Sequence, residues 1–265
     1  MGPGQGGGTL MEDIIGFLLD PANWEGARGI PARLVEHLFI SGLAIVAATM
    51  IALPIGLYIG HTGRGANLAI NIANIGRAVP SYAVLVMVLP VSLGLAPVFG
   101  YSPTLGLNFL PIFIAMILLA IPPILVNAYA GLRSVDRDLI EAGRGMGLRE
   151  SQILRSIELP IASSILIGGF RTAILQVIAT ATIGAILSGG GLGRFIVDGL
   201  NQGLAGRASI YAGAILVTAL AVGIDLVLAL IQRRLVPRGL RPEAARSRAS
   251  TRPADVGAGA DAGGV

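Results

Sequence analysis

Long apolar runs separated by short polar stretches dominate this 265-residue sequence. A membrane-spanning helix needs about 20 consecutive apolar residues. Five segments reach that length: 34–59, 67–89, 109–131, 161–187 and 210–231. The second segment is interrupted near Pro80, and the apolar stretch 91–97 beyond it could be a re-entrant piece or the start of a sixth span. The pattern therefore predicts an all-α membrane protein with about five transmembrane helices.

The two ends of the chain differ in composition from the segments between them. Residues 1–33 predict a Gly-rich disordered segment followed by an amphipathic helix at the membrane interface, with Trp24 as its anchor. Residues 233–265 are rich in Arg, Ala and Gly and predict a disordered tail. Residues 34–232 remain as the transmembrane domain, which contains one long polar loop at 133–160.

The placement of positive charge predicts the orientation of the helices. All 19 basic residues are Arg, and the formal net charge is +4. With the N-terminus outside, 13 of these Arg lie in inner segments and four in outer segments. Because positive charge accumulates on the cytoplasmic side, the chain is predicted to be N-out and C-in, a multi-pass protein of the plasma membrane. The basic charge is thus explained by lipid headgroups and does not indicate nucleic-acid binding.

Composition excludes several chemistries and supports the membrane prediction. Hydrophobic residues make up 54% of the chain and charged residues 13%, against about 25% charged residues in soluble domains. The absence of Cys excludes disulfides, thiolate metal sites and a Cys nucleophile. The absence of Lys excludes a P-loop ATP site. The two histidines, His37 and His61, are too few for a His-based zinc site, so we expect no catalytic residue, no metal and no cofactor.

The polar loop carries the most informative pattern of the sequence. Three glycines, Gly143, Gly145 and Gly147, are predicted to divide it into two short helices, and Pro160 is predicted to begin the fourth span. The following residues predict an apolar face at helical spacing: Met146, Leu148, Ile153, Leu154 and Ile157. A helix–turn–helix in a cytoplasmic loop is suited to docking another protein.

The loop resembles the EAA loop of ABC importer permeases. That motif reads Glu-Ala-Ala, three residues, Gly, nine residues, then Ile, any residue, Leu and Pro. The corresponding residues here are Glu141, Ala142, Gly143, Gly147, Ile157, Leu159 and Pro160. Six of the seven fixed positions agree, and the exception is Gly143, which stands in place of the second Ala. Gly slightly weakens a helix but keeps the small size.

The resemblance implies both a mechanism and partners. In such permeases the loop forms coupling helices that sit in a cleft of a cytoplasmic ATPase, which binds the ATP, and closure of the ATPase moves the spans between inward- and outward-facing states. The resemblance implies a type I permease fold like that of the methionine importer. It also implies a second permease copy or paralogue and an extracytoplasmic substrate-binding protein.

Several less specific motifs resemble those of the permeases for quaternary-amine osmoprotectants, namely glycine betaine, choline and carnitine. They cover most of the membrane part of the chain. The segments that carry them are Arg77–Ser81, Asn127–Leu132, Gly145–Gly147, Gly169–Ala173 and Gly190–Ile196. Permeases for another small solute such as methionine are built similarly and remain an alternative.

Several residues within the spans are candidates for the translocation path. They are Arg77, Pro80, Ser81, Pro122, Asn127 and Asp225. Prolines free backbone carbonyls that can line a path, although they can equally be kinks that neighbouring helices tolerate. A charge within a span is a functional candidate by default. We expect Arg171 to extend towards the cytoplasmic surface and consider a pairing of Arg77 with Asp225.

Two other classes of protein are weighed against an ABC permease. An ion-coupled secondary transporter needs an acidic residue deep in a span, and Asp225 alone qualifies. No internal repeat is evident either. An intramembrane hydrolase needs a Ser–His pair, but His37 and Ser188 fall at the ends of separate spans with no motif around them.

Overall fold

A computed structural model describes residues 9–95, 109–188 and 190–235, and within these ranges the chain is helical with no β-strand. The predicted disordered start and most of the predicted disordered tail lie outside the described residues, as do the last two residues of the apolar stretch 91–97.

The described residues form α-helices joined by short turns. Two short 3₁₀ turns, Pro21–Asn23 and Gly203–Gly206, and a π-helical turn, Leu154–Glu158, lie between them. The α-helices are α1 (Leu10–Leu19), α2 (Ile30–Thr62), α3 (Ala66–Ala78), α4 (Ser81–Leu95), α5 (Phe109–Arg133), α6 (Arg137–Gly145), α7 (Glu150–Ile153), α8 (Leu159–Ser188), α9 (Gly193–Asn201) and α10 (Arg207–Leu235).

Four helical stretches of the described chain are long and apolar enough to cross a membrane. They are Ile30–Thr62, Leu110–Arg133, Glu150–Leu187 and Gly203–Arg234, and they confirm four of the five predicted spans. The fifth predicted span, 67–89, is not one continuous helix, and its predicted break near Pro80 is confirmed. That segment is divided between α3 and α4, which have 13 and 15 residues. Pro80 forces the preceding Val79 into an extended conformation and so ends α3.

Helix α1 is confirmed as a separate N-terminal helix and lies against α9 and α10. Thr9 and Glu12 form a reciprocal capping box at its start. The Arg207 guanidinium donates hydrogen bonds to the Asp13 carboxylate, at 2.6 and 3.1 Å. The ring of Phe17 meets the edge of Phe195 with centroids 5.8 Å apart. Helix α1 is thus attached to α10.

Helix α5 lies at the centre of the bundle and packs against both α2 and α8. Its contact with α2 depends on small residues. One face of α2 presents Ala44, Ala48, Ala52, Gly56 and Gly60, all buried. A Cβ added at position 56 would lie 2.6 Å from the Cβ of Ala128. Such close approach supplies the dispersion contacts that hold helices together in lipid.

The contact between α5 and α8 also depends on small residues. A Cβ added at Gly169 would lie 2.4 Å from the Cβ of Asn127, and one added at Gly184 would lie 2.9 Å from Ile112. Nearer the loop, Gly131 on α5 faces Ala162 on α8. Because α5 and α8 also border the polar loop, this contact fixes where both ends of the loop begin.

We predict that Gly56→Ala destabilises the bundle, because its Cβ would meet the backbone oxygen of Leu125 at 2.8 Å as well as the side chain of Ala128. Overpacking of this kind costs about 1–3 kcal/mol. The matched control is Gly42→Ala on the same helix, where nothing lies within 4 Å of the added methyl group. Thermal unfolding in detergent measures both, and equal melting temperatures for the two variants would contradict the packing argument.

Candidate functional site

The polar loop between α5 and α8 folds as a helix, a tight turn and a second helix. The Asp136 carboxylate caps α6 by accepting a hydrogen bond from the N–H of Asp138 at 3.1 Å. At the other end of α6 the N–H of Leu148 donates to the carbonyl of Gly143 at 3.1 Å. The N–H of Gly147 donates to the carbonyl of Arg144 at 2.9 Å. These two hydrogen bonds form a Schellman motif, which satisfies the last carbonyls of a helix.

Gly147 is the residue on which this turn depends. Its φ of +82° places it in the left-handed region, where residues with a Cβ are disfavoured by about 1–2 kcal/mol. Nothing lies within 4 Å of the position of its missing side chain. The requirement for Gly is therefore conformational within the chain, while the free space outside remains available to a partner.

The predicted break of the loop helix at three glycines is only partly correct. Gly143 and Gly145 are both within α6, and the chain turns only after Gly145. Gly143 is buried where a Cβ would lie 2.9 Å from the tip of Ile157 and 3.5 Å from Ile153. It is thus the point at which the two halves of the loop touch. An Ala at position 143, as in the motif, would require the side-chain tip of Ile157 to move. Gly143 lets the two halves of the loop pack closely without that shift.

The outer side of the loop is open and partly apolar. Met146 is 75% exposed at the turn, and Leu139 is also exposed. Met146 therefore does not share one helical face with Ile153, as the apolar spacing predicted, because the Schellman turn separates α6 from α7. Glu141 and Ala142 are exposed on the same helix. Ile153 is fully buried, which confirms the inner face.

The start of the fourth span differs from prediction. Helix α7 continues through the π-helical turn into α8, so Pro160 lies in the first turn of α8 and does not restart the chain. The N–H of Leu159 donates to the carbonyl of Leu154, five residues back. This wider turn directly precedes Pro160. Proline has no backbone N–H, so Pro160 cannot donate a hydrogen bond to the preceding turn of the helix. Leu159 is half-buried and Pro160 is exposed.

Four polar side chains form a chain of contacts on the inner side of the loop. The Nδ1 atom of His61 lies 2.6 Å from the Glu158 carboxylate, and its Nε2 atom lies 3.1 Å from that of Glu150. The Arg144 guanidinium donates to both oxygens of Glu150, at 2.8 and 3.1 Å. This pairing holds the pKa of the Glu150 carboxyl below its ordinary value.

Sequence reasoning missed His61 and Glu158 as members of this site. Glu158 occupies the position that the motif leaves unspecified, and His61 lies 97 residues away in the chain. The sequence signal that could have identified Glu158 is its position between Ile157 and Leu159, immediately before the predicted fourth span. A cavity of about 250 Å³ lies beside the cluster. Its lining includes Arg133, Arg137 and Glu141.

The candidates for the translocation path occupy different environments. Pro80 separates α3 from α4, and Ser81 begins α4. Pro122 is buried against Gly76 of α3. Asn127 donates its side-chain N–H to the carbonyl of Pro123 at 2.7 Å where α5 crosses α8. Arg77 lies in the last turn of α3. Pro122 and Asn127 therefore lie at helix contacts of this chain.

Asp225 pairs with Arg171. The guanidinium of Arg171 on α8 donates to both carboxylate oxygens of Asp225 on α10. The side chain of Arg77, the partner considered for Asp225 above, lies outside the described part of the structure. Two opposite charges within apolar helices are stabilised by each other, because lipid offers neither an alternative partner.

A bundle of long apolar helices that carries an exposed helix–turn–helix loop is the architecture of a multi-pass membrane protein. Residues 52–238 match the family described as the binding-protein-dependent transport system inner membrane component. The chain belongs to this family. It is a multi-pass membrane permease subunit of an ABC importer and not an enzyme, and the family works with a separate ATPase and a binding protein.

Two relatives and one solved structure agree with this assignment. The chain is 35% identical to the choline transport system permease protein OpuBB of Bacillus subtilis, over 79% of this chain and 89% of that protein. It is also 35% identical to the carnitine transport permease protein OpuCB of Listeria monocytogenes, over 82% and 93%. A chain of the MetNI methionine ABC transporter, solved in inward-facing conformations, shares the fold with a TM-score of 0.67 and 22% identity, over 82% and 99%.

We predict that Gly147→Ala weakens the loop turn, whereas Gly145→Ala does not. Both methyl groups would enter open space, but only position 147 has a positive φ. The expected penalty is about 1–2 kcal/mol of local stability at position 147. Amide hydrogen exchange of residues 146–149 measures it in the purified protein. Equal protection in the two variants would show that the left-handed conformation is not needed.

We predict that Arg171→Gln and Asp225→Asn each lower the melting temperature, and that the double variant is more stable than either single variant. Each single change leaves one charge without the partner it has in the native bundle. Thermal unfolding of the four proteins in lipid nanodiscs completes a double-mutant cycle. Additive effects would mean that the two side chains do not interact in the folded protein.

Proposed function

We propose that this permease imports small quaternary-amine osmoprotectants such as glycine betaine, choline or carnitine, driven by a cytoplasmic ATPase that docks on the polar loop. The relatives named for choline and carnitine transport match over most of their own length, which supports this class of solute. The motif segments shared with such permeases point the same way. A permease for methionine is the second candidate, supported by the shared fold.

The observation that carries the coupling role is the open outer side of the loop. Met146 is exposed at the tip, with Glu141 and Ala142 beside it and free space around Gly147. An exposed apolar tip with a flanking carboxylate suits a cleft that is apolar within and basic at its rim. The inner side is held by Gly143 and Ile157, so the loop moves as one body when its tip is displaced.

The orientation and assembly complete the proposal. The loop holds five Arg and the predicted outer segments together hold four, so the proposal has the loop in the cytoplasm, the N-terminus outside and the C-terminus inside. The partners are the ATPase, which binds the ATP, a second permease copy or paralogue, and an extracytoplasmic substrate-binding protein. The permease itself binds no metal or cofactor.

The translocation path is suited to the passage of a quaternary-amine solute rather than to its tight binding. A quaternary ammonium is best held by several aromatic rings around one point. The single Trp lies outside the spans, and the five Tyr are scattered along the sequence. Selection of the solute therefore belongs mainly to the binding protein. Coupling to an ion gradient is disfavoured because Asp225, the acidic residue that it would use, is engaged by Arg171.

We predict that the tagged permease retains its ATPase in mild detergent, and that Gly147→Asp and Glu141→Arg lose it while still inserting. The first places a charged side chain in the free space of the turn, and the second reverses the charge beside the exposed tip. Gly145→Ala is the matched control and should retain the ATPase. Co-purification from a strain that expresses both chains is the measurement.

Uptake assays then separate the two candidate solutes. With the binding protein present, radiolabelled choline or glycine betaine should accumulate in proteoliposomes containing ATP, and methionine should not compete. If methionine alone were taken up, the proposed osmoprotectant class would be wrong and the protein would be a methionine permease. If wild type purifies without any ATPase, the coupling role of the loop is wrong.

A further inference from the structure

The last turn of α2 ends against the polar loop, although α2 and the loop are far apart in the chain. The loop is joined covalently to α5 and α8 only. Movement of the loop therefore reaches α5 and α8 through the backbone, but it reaches α2 only through side chains. His61, the penultimate residue of α2, makes contacts that span this gap.

His61 contacts a carboxylate on each side of its ring. Its Nδ1 atom lies 2.6 Å from an oxygen of Glu158 and its Nε2 atom 3.1 Å from an oxygen of Glu150. A neutral imidazole donates from one nitrogen only, whereas the imidazolium donates from both. Donation from both ring nitrogens would satisfy the two carboxylates together. The bridge joins α2 to the π-helical turn on one side and to α7 on the other.

Glu158 has few alternatives to this partner. Its side chain is 3% exposed, and a buried carboxylate is stable only when it is paired or hydrogen-bonded. The π-helical turn places Glu158 on the same side of the helix as the fully buried Ile153, five residues earlier. In a regular α-helix, residues five apart point in clearly different directions. The irregular turn therefore directs Glu158 towards α2.

We propose that His61 is a positioning residue which ties α2 to the coupling loop through Glu158 and Glu150, so that displacement of the loop by the ATPase is passed to the first span. This rests on the proposed coupling role of the loop. Arg144 extends the bridge, because it binds Glu150 from α6, the helix that carries the exposed tip. The tip, both halves of the loop and the end of α2 are thereby joined in one chain of contacts.

The surroundings of His61 also carry charge. Arg133 on α5 and Arg137 and Glu141 on α6 line the cavity next to it, together with Arg144 and Glu158. Two carboxylates contact the ring directly and no Arg side chain is hydrogen-bonded to it among the described residues.

The test uses the complete transporter in proteoliposomes and measures solute transported per ATP hydrolysed. His61→Gln and Glu158→Gln should retain the ATPase on purification but lower this ratio by about 2- to 30-fold, the range expected when a coupling contact is lost. His61→Arg keeps a cation with several donors and should restore much of the ratio. Thr62→Ala, at the next position, is the matched control and should behave as wild type.

A double-mutant cycle distinguishes this role from general support of the fold. The double variant His61→Gln/Glu158→Gln should lose no more than either single variant, because both changes break the same contact.

Each outcome decides the proposal. Unchanged transport per ATP in His61→Gln and Glu158→Gln, with the ATPase still bound, would overturn it and leave the proposed function intact. Loss of the ATPase from wild type would instead refute the proposed function. If His61→Gln cannot be purified, Glu150→Gln breaks the bridge at its exposed end, and a normal ratio there contradicts the proposal.

Discussion

The close approach of α2 and α8 to α5 is the contact on which the rest of the molecule depends. Lipid chains are as apolar as the side chains they touch, so burial from water cannot drive helices together within a bilayer. Helices in a bilayer are instead held together by dispersion between closely packed backbones. This close packing requires small residues where the helices cross. Gly56 and Gly169 meet this requirement on opposite sides of α5. A central helix held on two sides gives the polar loop a firm base.

The loop built on this base is rigid in itself and open towards the outside. The Schellman turn at Gly147 fixes the angle between its two halves, and Gly143 against Ile157 closes its inner side. Met146 is consequently exposed at the tip of the loop. The same few residues therefore satisfy the local backbone and present the surface on which coupling depends.

Charged side chains connect parts of the chain that the backbone does not. His61 bridges α2 to the loop, and Arg171 bridges α8 to α10. At the other end of α2, the Glu36 carboxylate accepts a hydrogen bond from the N–H of Gly191 at 2.9 Å. In a protein with 13% charged residues, such side chains are placed where they join helices that are remote in sequence.

The sequence by itself determined the class of fold, four of the long helices, the break at Pro80 and the position of the coupling motif. These features depend on local properties, namely the length of apolar runs, the backbone limits of Pro and Gly, and the spacing of a motif. The tertiary structure alone decided that Asp225 binds Arg171, that Met146 faces outwards and that Glu158 faces His61. Each of these depends on the relative rotation of helices. A helix can present any of its faces to a neighbour until packing selects one, and the π-helical turn before Pro160 changes that face without leaving a pattern in the sequence.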